Sequence, residues 1–248
     1  MATHENDQQN IYMSFWDHLE ELRWVVLKCL VTLVVATLVC LAVTNRLWDG
    51  LVLPLKTMPE VKIIEGGVID DFIARLKLAL LAGITCGIPF ILYFIWTFIA
   101  PGLRRHERRV AWVAILAGSL FFLLGASFGY TLLFFGLPAL RRMGLSGTEP
   151  LWRIRDYMSF CFRFILAFGI IFELPVVLVA LARLGLVKSD KLVKVRPYAV
   201  VAVFMTAAVL TPPDPFTQIM LGLPLLGLYE VSIVVARLVE PKDDEMLI

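Results

Sequence analysis

Charge is scarce in this chain, and histidine scarcer still. Asp, Glu, Lys and Arg make up 18% of the 248 residues, 59% are hydrophobic and the mean hydropathy is +0.81. Soluble domains run at roughly 45–50% apolar and about 25% charged, so an ordinary soluble domain is excluded in favour of a polytopic membrane protein. The three histidines, His4, His18 and His106, all lie outside the apolar runs. Neither His18 nor His106 is followed by the second histidine that a zinc-protease helix needs, and so few histidines leave no serine–histidine set for a hydrolase. The four cysteines (Cys29, Cys40, Cys86, Cys161) lie in or beside apolar runs and never as CxxC. They read as small packing residues rather than a disulfide framework or a metal site. No cofactor is expected. The first 23 residues are largely polar, so no cleavable secretory signal is expected. A net charge of +2 with no basic tail gives no argument for nucleic acid. Internal repeats and low-complexity segments are also missing.

What the chain does have is long apolar runs, and one of them carries an acid. Phe164 to Ala182 is a run of 19 residues whose tenth is Glu173. At the centre of a bilayer a charged side chain costs roughly 2.5–3.5 kcal/mol on insertion scales. Two residues later Pro175 lacks an N–H for the carbonyl of Ile171, so the helix is expected to loosen there. An intramembrane ionisable residue is functional by default; the alternative is a protonated glutamate bonded to its neighbours.

Along the chain, Ser14-Phe15-Trp16-Asp17 matches a helix start. Phe15, Leu19, Leu22 and Val26 then recur on one face, an amphipathic turn leading into the first span. Residues 45–71 form a polar connection with Pro54, Pro59 and Gly66-Gly67, long enough to be ordered. Asp70-Asp71 opens the second span, with Arg75 and Lys77 in its first turns; Leu78–Ala100 is then free of charge. Pro101-Gly102 ends it, and a basic loop, Arg104-Arg105-His106-Glu107-Arg108-Arg109, leads into Val110–Leu140. On that third span Gly118, Ser119, Gly125, Ala126, Ser127 and Gly129 suggest a face for close helix packing, and Phe121, Phe122, Phe134 and Phe135 read as packing or interface anchors. The last two apolar runs, Tyr198–Leu210 and Phe216–Tyr229, are short and flank Thr211-Pro212-Pro213-Asp214-Pro215. Two readings stay open: helices in a thinned bilayer, or a re-entrant hairpin.

The fold class expected is all-α and polytopic: one membrane domain over 1–248 with six spans near 24–44, 72–100, 110–140, 159–183, 197–211 and 215–236, the last two short. Of 23 Lys and Arg, thirteen fall on the side of the termini and ten on the other, a modest bias toward cytoplasmic N- and C-termini. Two acidic features then share the cytoplasmic face, Glu20-Glu21 and Glu107. Separate carboxylates suit a ligand with two positive charges, each taking a guanidinium fork. The competing reading is local pairing, of Glu20 with Arg23 and of Glu107 with its flanking arginines.

Several stretches carry a resemblance. Phe98-Ile99-Ala100-Pro101-Gly102-Leu103 with His106-Glu107-Arg108-Arg109 resembles the first cytoplasmic loop of TatC, the twin-arginine translocase subunit. So do His18-Leu19-Glu20-Glu21-Leu22-Arg23, Phe168-Gly169-Ile170-Ile171-Phe172-Glu173-Leu174-Pro175, and Arg196-Pro197-Tyr198 followed by Leu210-Thr211-Pro212-Pro213-Asp214. They occur in the family's order and span nearly the whole chain. The resemblance implies six helices in a concave, glove-like cup with a periplasmic cap, in the cytoplasmic (inner) membrane. It implies a receptor for the twin-arginine signal peptides of folded cargo, exporting them on the proton-motive force with no covalent chemistry, so not an enzyme. By motif position Glu21 and Glu107 contact the signal arginines, with Phe98 nearby and Arg23 in the same motif. Glu173 is the polar group of the concave wall. Thr211 and Gln218 lie where single-span partners of the TatA and TatB type dock, and Pro54 belongs to the cap. Membrane lipids and further copies of the chain are the other partners implied.

Two positions depart from the family pattern. Trp24-Val25 follow Arg23 where more basic residues are usual, and Arg104-Arg105 add positive charge beside Glu107; their expected role is topological or lipid-facing. A proton-coupled secondary transporter using Glu173 is the alternative function, weakened by the missing repeats.

Overall fold

The computed structural model describes residues 15–56, 58, 62–64, 66, 67, 69–99, 108–142, 151–210 and 215–240. Its first helix, α1 (Phe15–Leu41), begins within the acidic turn and continues without interruption into the apolar span. Two short helices, α2 (Thr44–Leu51) and α3 (Leu53–Lys56), and a strand, β1 (Lys62–Ile64), fill the polar connection before α4 (Asp70–Ile99). Then come α5 (Arg108–Arg142), strand β2 (Leu151–Arg153), α6 (Ile154–Ile171), α7 (Glu173–Arg183), α8 (Ser189–Leu210) and α9 (Pro215–Val239). Counting α6 and α7 as one interrupted span, six helical segments among the described residues are long and apolar enough to cross a membrane. This is an all-α multi-pass membrane protein.

α8 and α9 are the shortest of the six spans, at 22 and 25 residues. At helical rise they reach about 33 and 37 Å, more than a hydrocarbon core near 30 Å. Both are continuous helices and candidate spans, so the re-entrant hairpin loses its basis, but the apolar part of α8, residues 197–210, reaches only about 21 Å and is short as expected. The rest of the length of α8 is polar, since its first two turns are wound from Ser189 to Arg196 ahead of the apolar run.

Small residues set the helix packing. α1 and α4 run side by side, and at Gly83 an added Cβ would lie 2.8 Å from both the Cα and the N of Thr37. Only glycine allows two backbones that close. α5 packs on α6 in the same way: a Cβ at Gly125 would meet the carbonyl oxygen of Phe168 at 2.5 Å, and one at Gly129 the Phe168 ring at 3.1 Å. Phe168 is fully buried there, with Phe122, Met158 and Cys161. The small-residue stripe of the third span is thus the seat of α6. In contrast, Val26, Leu30, Val34 and Leu38 of α1 are exposed, as suits a lipid-facing helix.

At the end where α4 and α6 begin, the connections are built into the core. Leu51, Pro54 and Leu55 are buried, and two tyrosines secure the end of α2. The Tyr157 hydroxyl donates to the Leu51 carbonyl and that of Tyr130 to the Gly50 carbonyl, each at 2.7 Å. Carbonyls that a helix leaves without partners at its C-terminus are thereby satisfied from α6 and α5. β1 and β2 pair in parallel, Ile63 opposite Trp152, tying together connections far apart in the chain.

Candidate functional site

Two carboxylates stand out. Glu21 lies on α1, one turn beyond His18, where the helix leaves the polar segment. Its side chain is half-buried, and Oε2 is shielded from water with no hydrogen-bond partner among the described residues. The nearest charged neighbour is His18, whose Nδ1 lies 3.9 Å away, too far for a hydrogen bond. His18 in turn stacks on Phe98 at the end of α4, with ring centroids 4.4 Å apart and planes inclined by 15°. The antiparallel course of α1 and α4 creates this meeting: the start of one helix faces the end of the other. Phe98 is half-buried and Arg23 exposed; no ion pair joins Arg23 to Glu20 among the described residues. A shielded carboxylate oxygen beside an aromatic pair is a ready acceptor for a guanidinium, which bonds through its fork and stacks through its plane.

The second carboxylate is Glu173, first residue of α7. The helix is interrupted just before it, at Phe172, whose N–H still donates to the Phe168 carbonyl at 2.9 Å. Pro175 follows in the first turn, buried, which accounts for the break where the missing N–H placed it. Glu173 is only partly covered, yet its Oε1 is shielded and unpaired among the described residues. Its Oε2 side rests on α5 at Gly118, where an added Cβ would fall 2.7 Å from Oε2 and 2.8 Å from Leu92 Cδ1. Beside it opens an apolar groove of about 430 Å³ lined from α5, α7 and α9, including Phe121, Pro175 and Val176.

A family model described as "Sec-independent protein translocase protein (TatC)" matches residues 17–224. The chain belongs to the TatC family. Curated TatC relatives include one from Desulforapulum autotrophicum, 37% identical over 93% of this chain and 86% of its own length. One from Helicobacter pylori strain J99 is 36% identical over 92% of this chain and 91% of its own. Both are named Sec-independent protein translocase protein TatC. Among solved structures, two described as crystal structures of the twin-arginine translocase receptor TatC superpose with TM-scores of 0.78 and 0.82 at 33% identity. They cover 90% and 88% of this chain and 99% of theirs. The family is one of translocase components, not a known family of catalysts, and the transporter alternative finds no support among these relatives.

Of the positions singled out from TatC motifs, Glu21 and Phe98 come together through His18, and Arg23 lies on the same helix end. Glu107 and Thr211 lie outside the described residues, as do Arg104 and Arg105. Gln218 is half-buried and its Nε2 donates to the Phe204 carbonyl of α8 at 3.1 Å. Pro54 is fully buried in α3. Glu230, given no role from sequence, accepts from Arg196 Nη2 at 2.6 Å and so joins α9 to α8. Two contributors escaped the sequence reading. His18 belongs to a motif stretch but carries no role from sequence, although its place three residues before Glu21 puts both on one helix face. Gly118 was read for packing alone; nothing in the sequence links it to Glu173.

Proposed function

We propose that this chain is the receptor subunit of a twin-arginine translocation system in the cytoplasmic membrane. It binds the paired arginines of a signal peptide where α1 begins and α4 ends, and exports folded cargo on the proton-motive force. The observation that carries the reading is the shielded, unpaired Oε2 of Glu21 beside the His18–Phe98 stack, in a chain of this family. Glu21 takes one guanidinium and Glu107 the other, Phe98 offers an apolar face and Arg23 shapes the same helix end. The termini are cytoplasmic, in keeping with the excess of Lys and Arg on their side. Glu173 is a polar foothold within the bilayer for a peptide or partner helix beside the apolar groove. Single-span partners of the TatA and TatB type dock near Thr211 and Gln218. Pro54 belongs to a cap on the far side, and several copies of the chain assemble in the receptor.

Photo-crosslinking tests the placement. A photoreactive side chain at Leu22 or Phe98, in membranes containing the protein, should capture a peptide with consecutive arginines. A peptide with consecutive glutamines should not be captured. Equal capture of the two would reject the site.

A further inference from the structure

On the opposite side of the molecule from Glu21 lies a second charged region, and the receptor reading does not use it. A polar cleft of about 720 Å³ opens between the first turns of α4 and α6, lined by Lys77, Arg153, Arg155 and Arg163 with Asp70 and Asp156. Four cations thus face two carboxylates, and the pairing among them is thin. Arg155 reaches the buried Asp70 at 4.0 Å, the outer edge of an ion pair. Lys77 Nζ donates to the Ser159 hydroxyl at 2.5 Å and Arg163 Nε to the Ser159 carbonyl at 3.2 Å. The side chain of Arg153 makes no hydrogen bond or ion pair among the described residues.

The depth of the cleft identifies its occupant. Lys77 immediately precedes the charge-free run of α4, and Arg163 immediately precedes the run Phe164–Ala182 that Glu173 alone interrupts. Two independent spans therefore put the edge of the hydrocarbon at these two side chains, and Ser159 bonds to both. Arg155 lies eight residues before Arg163 on α6, about 12 Å further out, so the cleft runs from the hydrocarbon edge through the headgroup layer, which is roughly 5–8 Å per leaflet. At the wall, Gly66 brings backbone against Asp70 and Arg153: an added Cβ there would lie 2.9 Å from Asp70 Oδ2 and 3.3 Å from Arg153 Cδ. Excess positive charge at the level of the headgroups, on side chains whose stems can lie along apolar surface, calls for an anion that is itself anchored there.

We propose that this cleft binds the phosphate of an anionic phospholipid in the leaflet where α4 and α6 begin. Arginine forks take the phosphate oxygens in pairs and Lys77 adds a point charge at the base. The bound lipid would hold the starts of α4 and α6 at a fixed spacing.

The test is native mass spectrometry of the full chain released from nanodiscs of phosphatidylglycerol and phosphatidylcholine in equal parts. The protein should retain phosphatidylglycerol in preference. In Arg153→Gln/Arg163→Gln, retention should fall about 100-fold, the loss expected for two charge-assisted bonds of roughly 1.5 kcal/mol each. Arg153→Lys/Arg163→Lys should keep most of it, and circular dichroism should show unchanged helix content in both variants. Inorganic phosphate at millimolar concentration should not displace the lipid. Equal retention by wild type and the glutamine variant would overturn the site, and displacement by inorganic phosphate would overturn the lipid as its occupant.

Discussion

Glu173 keeps its place because Gly118 has no side chain. Its carboxyl lies against α5 where a methyl group would stand 2.7 Å from Oε2, so carboxyl and glycine form one unit shared by two helices. Gly118→Ala must push the carboxyl away or part the helices, and overpacking of this kind costs about 1–3 kcal/mol. Thermal unfolding in detergent should register that cost, and export of a twin-arginine substrate should fall as far as it does in Glu173→Leu. If Glu173→Leu assembles and exports as wild type does, the glutamate is merely a tolerated burial. His18 stacks on Phe98 and lies 3.9 Å from Glu21 Oε2, so the aromatic face stands beside the carboxylate.

The side-chain hydrogen bonds that join one element to another gather at the element ends. α2 is too short to be stable by itself, and what fixes it is tertiary: the Tyr157 hydroxyl on Leu51 and the Tyr130 hydroxyl on Gly50. Tyr157→Phe leaves a buried carbonyl without its donor, which costs about 1–3 kcal/mol. Tyr130→Phe, at an exposed bond, should cost less. A midpoint shift in thermal unfolding that is larger for Tyr157→Phe than for Tyr130→Phe is the expected outcome; the reverse order would mean that the α2 end is held in another way. α8 and α9 are joined at one end by Arg196–Glu230 and at the other by Gln218 to Phe204. Gln218 therefore serves the fold by this bond.

These elements also mark what could be read from the chain alone. The main spans were legible because uninterrupted apolar runs such as Leu78–Ala100 have one physical solution in a bilayer. The interruption at Phe172 was legible from Pro175, whose missing N–H acts locally. The pairing of β1 with β2 was not, since Lys62 and Leu151 carry no local signal of each other. Nor were α2 and α3, whose polar sequence owes its helical form to distant tyrosines and to burial of Leu51 and Leu55. At the site, Glu21, Phe98 and Glu173 could be named from motifs. The contacts that give them their setting, from His18 and Gly118, depend on which helices meet.

At the scale of the molecule, the charged features separate by depth. Glu21 stands where α1 enters the bilayer, Glu173 within it, and the cleft of Lys77 and Arg163 at the far boundary. The arrangement fits a receptor that meets cationic signals on one side, offers a polar foothold inside, and is anchored among headgroups on the other. In the proposed function, Glu21 at the start of α1 and Glu107 bind the paired arginines. The most direct measurement is equilibrium binding of a fluorescent twin-arginine peptide to the full chain in nanodiscs, for wild type and for Glu21→Gln/Glu107→Gln. Each charge-assisted bond is worth roughly 1.5–3 kcal/mol, so the double variant should bind at least about 100-fold more weakly. The wild-type affinity should also fall with added salt. Unchanged affinity in the double variant would mean that Glu21 and Glu107 do not bind the signal arginines.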